Sequence, residues 1–332
     1  MNTLLKSLGV TLGLSTAAIT ASNALAADVT LNLGYAAAEG SSYSILADKF
    51  EELTEKYSNG SIDVKVRCCT QLATEDEAFK SMQLGIVDMY IITNNNISPH
   101  FPLMDAFVLP YIFQSAEHTR KVIQGPVGEA FANKLQQDSG VHLLTFGHVG
   151  HRDFYNTERP INSFEDMAGI KVRVPKNEVM IKTFDAFGAA PLPLSWSDTP
   201  TALQTGTVQG ADNGTSFIKS QKFYEFVPNL AILEHFSYFS PLFASSRAIG
   251  KLDDEQKKAL FKAAQEAGEY QSTVMAKDIA ETRAFLAENG MQVTYPDKAG
   301  FIAASLRVQD EVAAEKDDAF RTLISDIRAA AQ

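Results

Sequence analysis

From Val29 to Asp212 the chain keeps changing its period. VTLNLGY, SIDVKV, VDMYII, VHLLTF and GIKVRVP read as short strands, some by alternation and some as brief apolar runs. Between them apolar residues recur every three or four positions. Leu46, Phe50, Leu53 and Tyr57 follow Ser41 and Ser42, and Phe79 and Met82 follow a Thr74–Glu77 capping pair and precede Gly85. Another segment opens at Pro126 and closes at Gly140, and Met180, Phe184 and Phe187 precede Gly188. Thr199 to Gly206 adds a further helix before the strand VQGAD. Near Asp253 the character changes to one unusually long polar helix, acidic at its start and ended by Gly290. MQVTYP is a late strand, and the tail from about Gly300 is helical. With no Pro/Gly/Ser-rich linker and no tandem repeat, this order predicts two α/β lobes crossed several times by the chain.

The first 26 residues stand apart. One early cation, Lys6, precedes a short apolar run and an Ala24-Leu25-Ala26 end, the layout of a cleaved secretory signal. Cleavage after Ala26 leaves 332 − 26 = 306 residues and moves the net charge from −11 to −12. An acidic chain without a basic cluster argues against nucleic acid and anionic lipid as partners, but not against a small anion held by one arginine in a cleft. The only cysteines are neighbours, Cys68 and Cys69, at the end of a strand. Their side chains would point to opposite faces, against an ordinary bridge; only a strained vicinal disulfide would join them.

Catalytic signatures are missing: no G-x-S-x-G elbow, no phosphate loop and no C-x-x-C pair. His148 and His151 have metal-ligand spacing, but Arg152 beside them would repel a cation, so HVGHRD reads as a polar loop. No enzyme activity, metal or cofactor is expected. The predicted strand ends are more informative, because ligands of open α/β sheets lie beyond the carboxyl ends of the strands. Arg173 ends GIKVRVP, Asn94, Asn95 and Asn96 follow VDMYII, and Asp212 and Asn213 follow the strand from Val208. Arg152 follows VHLLTF across a short loop, and Trp196, the only tryptophan, lies beside this group. Alternation alone makes Arg173 an ordinary solvated arginine. A guanidinium fork, however, matches a carboxylate with two charge-assisted bonds.

HRDFYNTERPINSFEDMAGIKVRVP, AFGAAPLPLSWSDTPTALQTGTVQGADNG and KSQKFYEF, together with DKFEELTEKYSNGSIDVKV, the Q-L-x-x-E-x-E segment from Gln71 and FVLPYIF, resemble the extracytoplasmic solute-binding subunits of TRAP transporters, of the dicarboxylate-binding type. The resemblance runs in order along nearly all of the mature chain. It implies a periplasmic-binding-protein fold of two lobes with a ligand cleft between them and a long helix spanning both, divided as 27–149 with 239–277 and 150–238 with 278–332. It implies capture of a small carboxylate in the periplasm and delivery to membrane permease subunits, without ATP. By the same resemblance Arg173 clamps the carboxylate, helped by Arg152 and Asn213. Trp196 forms an aromatic wall, Glu39, Thr93 and Asn94 face the cleft from the first lobe, and His235 and Tyr238 lie near the hinge.

Three departures bear on the ligand. Asp212-Asn213-Gly214 replaces the family's E-N-P, Pro200-Thr201 replaces a tyrosine, and Val208-Gln209-Gly210 replaces V-D-G. Two arginines and many amides suit a sugar acid or related hydroxy acid. Glu39 with Trp196 would instead suit an ectoine-like cation beside an aromatic, and a C4-dicarboxylate is a third choice. A subunit presenting its closed form to a sensor would look the same.

Overall fold

A computed structural model describes residues 27–331, so the expected signal segment lies outside the described residues. Eleven strands are found among them: β1 (Val29–Tyr35), β2 (Ile62–Arg67), β3 (Met89–Ile91), β4 (Val141–Thr145), β5 (His148–Asn156), β6 (Lys171–Val174), β7 (Ala190–Pro193), β8 (Gly210–Asn213), β9 (Asn229–Phe239), β10 (Leu242–Ser245) and β11 (Gln292–Thr294). The helices are α1 (Ser42–Tyr57), α2 (Glu75–Gln83), α3 (Asn94–Ile97), α4 (Ala116–Gln124), α5 (Pro126–Ser139), α6 (Glu178–Ala186), α7 (Thr199–Gln204), α8 (Thr215–Ser220), α9 (Ser246–Gly250), α10 (Asp254–Glu288), α11 (Ala299–Glu315) and α12 (Asp318–Ala329).

These strands form two mixed sheets. The first runs β2-β1-β3-β10-β4, with β1, β2 and β3 parallel and β10 antiparallel to both neighbours. The second runs β11-β9-β5-β8-β6-β7, where the parallel unit β8-β6-β7 meets the antiparallel pair β5-β9. The expected α/β architecture of two lobes is thus present. Helix α10 is capped by Asp253, whose carboxylate accepts from Gln256 N–H at 2.8 Å. It packs on α1 and β4 of the first sheet, then on β5, α8 and β11 of the second, and so spans both lobes.

The long strands β5 and β9 carry the chain between lobes, and sequence pattern did not mark them. Strand β9 is buried along nearly all its length, so NLAILEHFSYF shows no alternation. HVGHRD, expected as a polar loop, is the start of β5 instead. Its charged groups are paired inside the protein, as when Asp153 accepts from Glu234 N and from Arg283 at 2.9 Å.

Beside each strand the chain changes sheet, at Phe146-Gly147 and at Ser240-Pro241, where Ser240 N donates to Gly147 O at 2.9 Å. Gly147 has φ +53°, and a Cβ there would stand 2.6 Å from Gln271 Oε1 and 2.7 Å from Ser240 O, so only glycine fits this crossing. Gln271, buried midway along α10, holds the junction by donating to Ser42 O and accepting from Ser240.

The C-terminal helix departs from a simple division. Helix α12 buries Phe320, Leu323, Ile324 and Ile327 and packs against α5 and the 3-10 turn Pro102–Phe107, on the first-sheet side. Assigning all of 278–332 to the second lobe omits this return.

Candidate ligand-binding cleft

Between the lobes lies a narrow cavity with walls from both. Its second-lobe wall is built from strand ends. Arg173 sits one residue before the end of β6, between β7 and β8, and is only 2% exposed. Solvation on a free strand face, the bare expectation from alternation, fails because β6 is covered on both faces. Its Nε donates to Leu194 O at 2.9 Å, which fixes the plane of the guanidinium. Among the described residues no hydrogen bond engages its two terminal nitrogens and no carboxylate pairs with it. Trp196 lies under the fork, with Arg173 Cζ 5.7 Å from the ring. Burial, with the nearby Arg152 charge, lowers the Arg173 pKa to about 10.

Arg152, on β5, is as deeply buried but fully partnered. It grips Asp212 through Nε at 2.6 Å and one terminal nitrogen at 3.0 Å, and also reaches Asp212 O at 2.7 Å. Burial alone would raise the Asp212 carboxyl, but the charge and hydrogen bonds of Arg152, with His235 close by, hold it well below the usual range. His235, whose Nε2 stands 3.3 Å from Asp212, therefore backs this pair and does not line the cavity. Asn213 completes the wall. Its Oδ1 accepts from Gly214 N at 2.8 Å and lies 3.5 Å from Arg152, which leaves its amide donors for the cavity. Tyr238 and Phe217 supply apolar surface, with Arg152 Cζ 5.3 Å from the Tyr238 ring.

The first-lobe wall holds one carboxyl. Glu75, the first residue of α2, is buried and accepts from Tyr43 Oη at 2.9 Å, Thr93 Oγ1 at 3.1 Å and Asn96 Nδ2. Burial raises its pKa in spite of these bonds. Thr93, Asn95 and Asn96, around the start of α3, line the same wall.

The eight expected site residues divide accordingly. Arg173, Arg152, Asn213, Trp196, Thr93 and Tyr238 surround one cavity. Asn94 does not: the turn of α3 points it inward, where it donates to Phe107 O at 3.0 Å, and its neighbours Asn95 and Asn96 take its place. Glu39 is exposed, 3.8 Å from Cys68 Sγ, and lies away from the cavity. The first-lobe acid of the cleft is Glu75. Sequence reading missed it because Thr74 and Glu77 explained that segment as a helix cap, and the cap does form. Cys68 and Cys69 are joined as a vicinal disulfide; positive φ at Cys69 and Thr70 takes the chain out of strand geometry there. No group of three or more acidic, histidine or cysteine side chains among the described residues could hold a metal ion.

Comparison with known proteins shows similarity in sequence and fold along nearly the whole described chain. The model of bacterial extracellular solute-binding protein family 7 matches residues 33–316. A solute-binding protein of Roseobacter denitrificans is 31% identical over 311 residues, 94% of either chain. A TRAP periplasmic solute-binding protein of Polaromonas, solved with D-erythronate, superposes with a TM-score of 0.86 at 30% identity, over 91% of this chain and 98% of that one. Another from Roseobacter denitrificans, solved with L-galactonate, gives 0.84 at 30% identity, over 91% and 99%. The chain belongs to the family 7 extracellular solute-binding proteins, the periplasmic ligand-capturing components of TRAP transport.

Proposed function

We propose that the protein captures a monocarboxylate sugar acid, or a closely related hydroxy acid, and hands it to the membrane permease subunits of a TRAP transporter. The observation that carries this reading is Arg173, a buried guanidinium with two unengaged terminal nitrogens facing a cavity that both lobes enclose. A ligand carboxylate there would receive the fork of Arg173 and the amide of Asn213, with Arg152 already neutralised by Asp212. Hydroxyls at the other end would meet Glu75, Thr93, Asn95 and Asn96, and the C–H faces of the sugar would lie on Trp196, Phe217 and Tyr238. Contacts from both lobes favour the closed form over the open one, and such differential affinity is what drives closure. The lobes would be 27–149 with 239–277 and 150–238 with 278–332, with α12 returning to the first.

Glu75 weighs against the alternatives. A C4-dicarboxylate would bring its second carboxylate toward this buried acid, a like-charge contact without a cation beside it. Glu39, on which the ectoine option drew, lies outside the cavity, and although Glu75 takes its place, two buried arginines there disfavour a cationic ring. The leader-like first 26 residues support export to the periplasm, and no helix among the described residues is long and apolar enough to cross a membrane.

A thermal-shift screen of residues 27–332 tests the reading. L-galactonate, D-erythronate, D-galacturonate, D-glucuronate and succinate are compared at equal concentration. A sugar acid at ~100-fold excess over its Kd adds about 2.7 kcal/mol and should raise Tm by several degrees. Succinate should shift it less. A succinate shift larger than that of every sugar acid, or no shift from any of them, overturns the reading.

A further inference from the structure

We propose that Asp76 is the latch of the closed cleft, a residue that touches no ligand yet sets how long one is held. The proposal rests on reading the cavity as a ligand site that closes. Asp76, the second residue of α2, belongs to the first lobe. Its Oδ2 accepts from two groups of the second: Lys176 Nζ at 2.9 Å, just past β6, and Ser195 Oγ at 2.5 Å, just past β7. None of the three lines the cavity, but each is the chain neighbour of a residue that does: Glu75, Pro175 and Trp196. The latch thus stands at the mouth, one residue outside the cavity wall on both sides.

Its setting suits a contact that forms and breaks. The Asp76 side chain is one-quarter exposed and that of Lys176 more than half, so water can replace either partner as the lobes part. The other polar bridge nearby is different in kind: Asn177, which donates to Asn95 O and to Asp105, is buried and also caps α6. Burial would raise the Asp76 carboxyl, yet the Lys176 and Ser195 hydrogen bonds, with the charges of Lys176 and Arg173, leave it below the usual range. A contact made only with the lobes together stabilises the closed state whatever the ligand. Its loss should therefore speed release and leave capture almost unchanged.

The test compares wild type with Asp76→Ala by stopped flow, using whichever of L-galactonate, D-erythronate, D-galacturonate or D-glucuronate binds most tightly. An exposed ion pair is weak and a charge-assisted hydroxyl bond stronger, so koff should rise roughly 3- to 20-fold with kon within about twofold. Salt should accelerate release from wild type more than from the variant. The double exchange Asp76→Lys with Lys176→Asp should recover most of the slow release. The ligand-free Tm should match wild type. An unchanged koff, or a ligand-free Tm lowered as much as the ligand-bound one, overturns the latch.

A second arm needs no ligand. Cysteines introduced as Asp76→Cys and Ser195→Cys should cross-link on mild oxidation, mapped by peptide mass spectrometry apart from the Cys68–Cys69 bond. Absence of that cross-link overturns the latch as well. A cross-link in a protein that binds none of the four acids would sink the ligand reading while the latch stands.

Discussion

The two buried arginines of the cleft have the same chemistry and opposite surroundings. Around Arg152 the protein supplies its own counter-charge, with Asp212 held in a fork and His235 behind it. Around Arg173 it supplies a carbonyl and an aromatic face, with acids such as Glu75 nearby but none paired with it. Isolating a buried cation works against folding, whereas pairing it is closer to neutral. On the proposed reading, the difference makes Arg152–Asp212 scaffold and Arg173 the cationic position left for an external anion. In the ion-pair region each charge offsets the burial of the other, and in the other region, on the same reading, the charge is held in reserve for binding.

That contrast can be broken by substitution. The largest expected effect is on the paired side. Asp212→Asn leaves Arg152 buried without its counter-charge and should cost about 3–5 kcal/mol of stability, a fall in Tm of roughly 6–20 °C. Arg173→Met, which removes a buried cation that no acid contacts directly, should leave ligand-free stability within about 1 kcal/mol of wild type. Equal losses in the two variants, read by denaturant melts, would erase the distinction.

The smallest effect lies behind the pair, where Glu234 on β9 accepts from Lys298 at 2.7 Å and Arg283 at 2.9 Å. Burial raises the Glu234 carboxyl, but the hydrogen bonds and charges of Lys298 and Arg283 outweigh it and bring its pKa down to about 2. A carboxyl depressed in the folded state adds stability above its ordinary pKa, near 4.5, and loses it as pH falls toward 2. Tm of Glu234→Gln should therefore fall less steeply than wild type between pH 4.5 and 2, and the two curves should converge at the acid end. Parallel curves would show that this acid is not held as described.

Much of the fold was legible because local signals and the final structure agree. The Asn59-Gly60 turn, Pro126–Gly140 and Asp253–Gly290 each carry a start or stop residue that the structure uses, whereas Ser41 stands at the N-cap of α1 without a side-chain cap bond. The crossing strands were not legible. Burial on both faces removes alternation from β9, and the internal ion pairs of β5 look like loop polarity in a linear chain. Within the cleft, Arg173 could be placed at a strand end from GIKVRVP alone, but its burial required knowing that β6 is flanked on both sides. On the first lobe, one residue of phase separates Asn94 from Asn95 along α3, and strand-end reasoning has no means of resolving that. Glu75 was hidden by a competing and correct account of its neighbours.

The measurement that tests the central claim most directly is the calorimetric Kd of wild type and Arg173→Met for the best-binding sugar acid, at constant pH and salt. Losing one partner of a buried charge pair costs about 2–5 kcal/mol, so the variant should bind roughly 30- to 5,000-fold more weakly while remaining folded. Affinity within threefold of wild type would contradict the account and leave Arg173 without a role in holding the ligand.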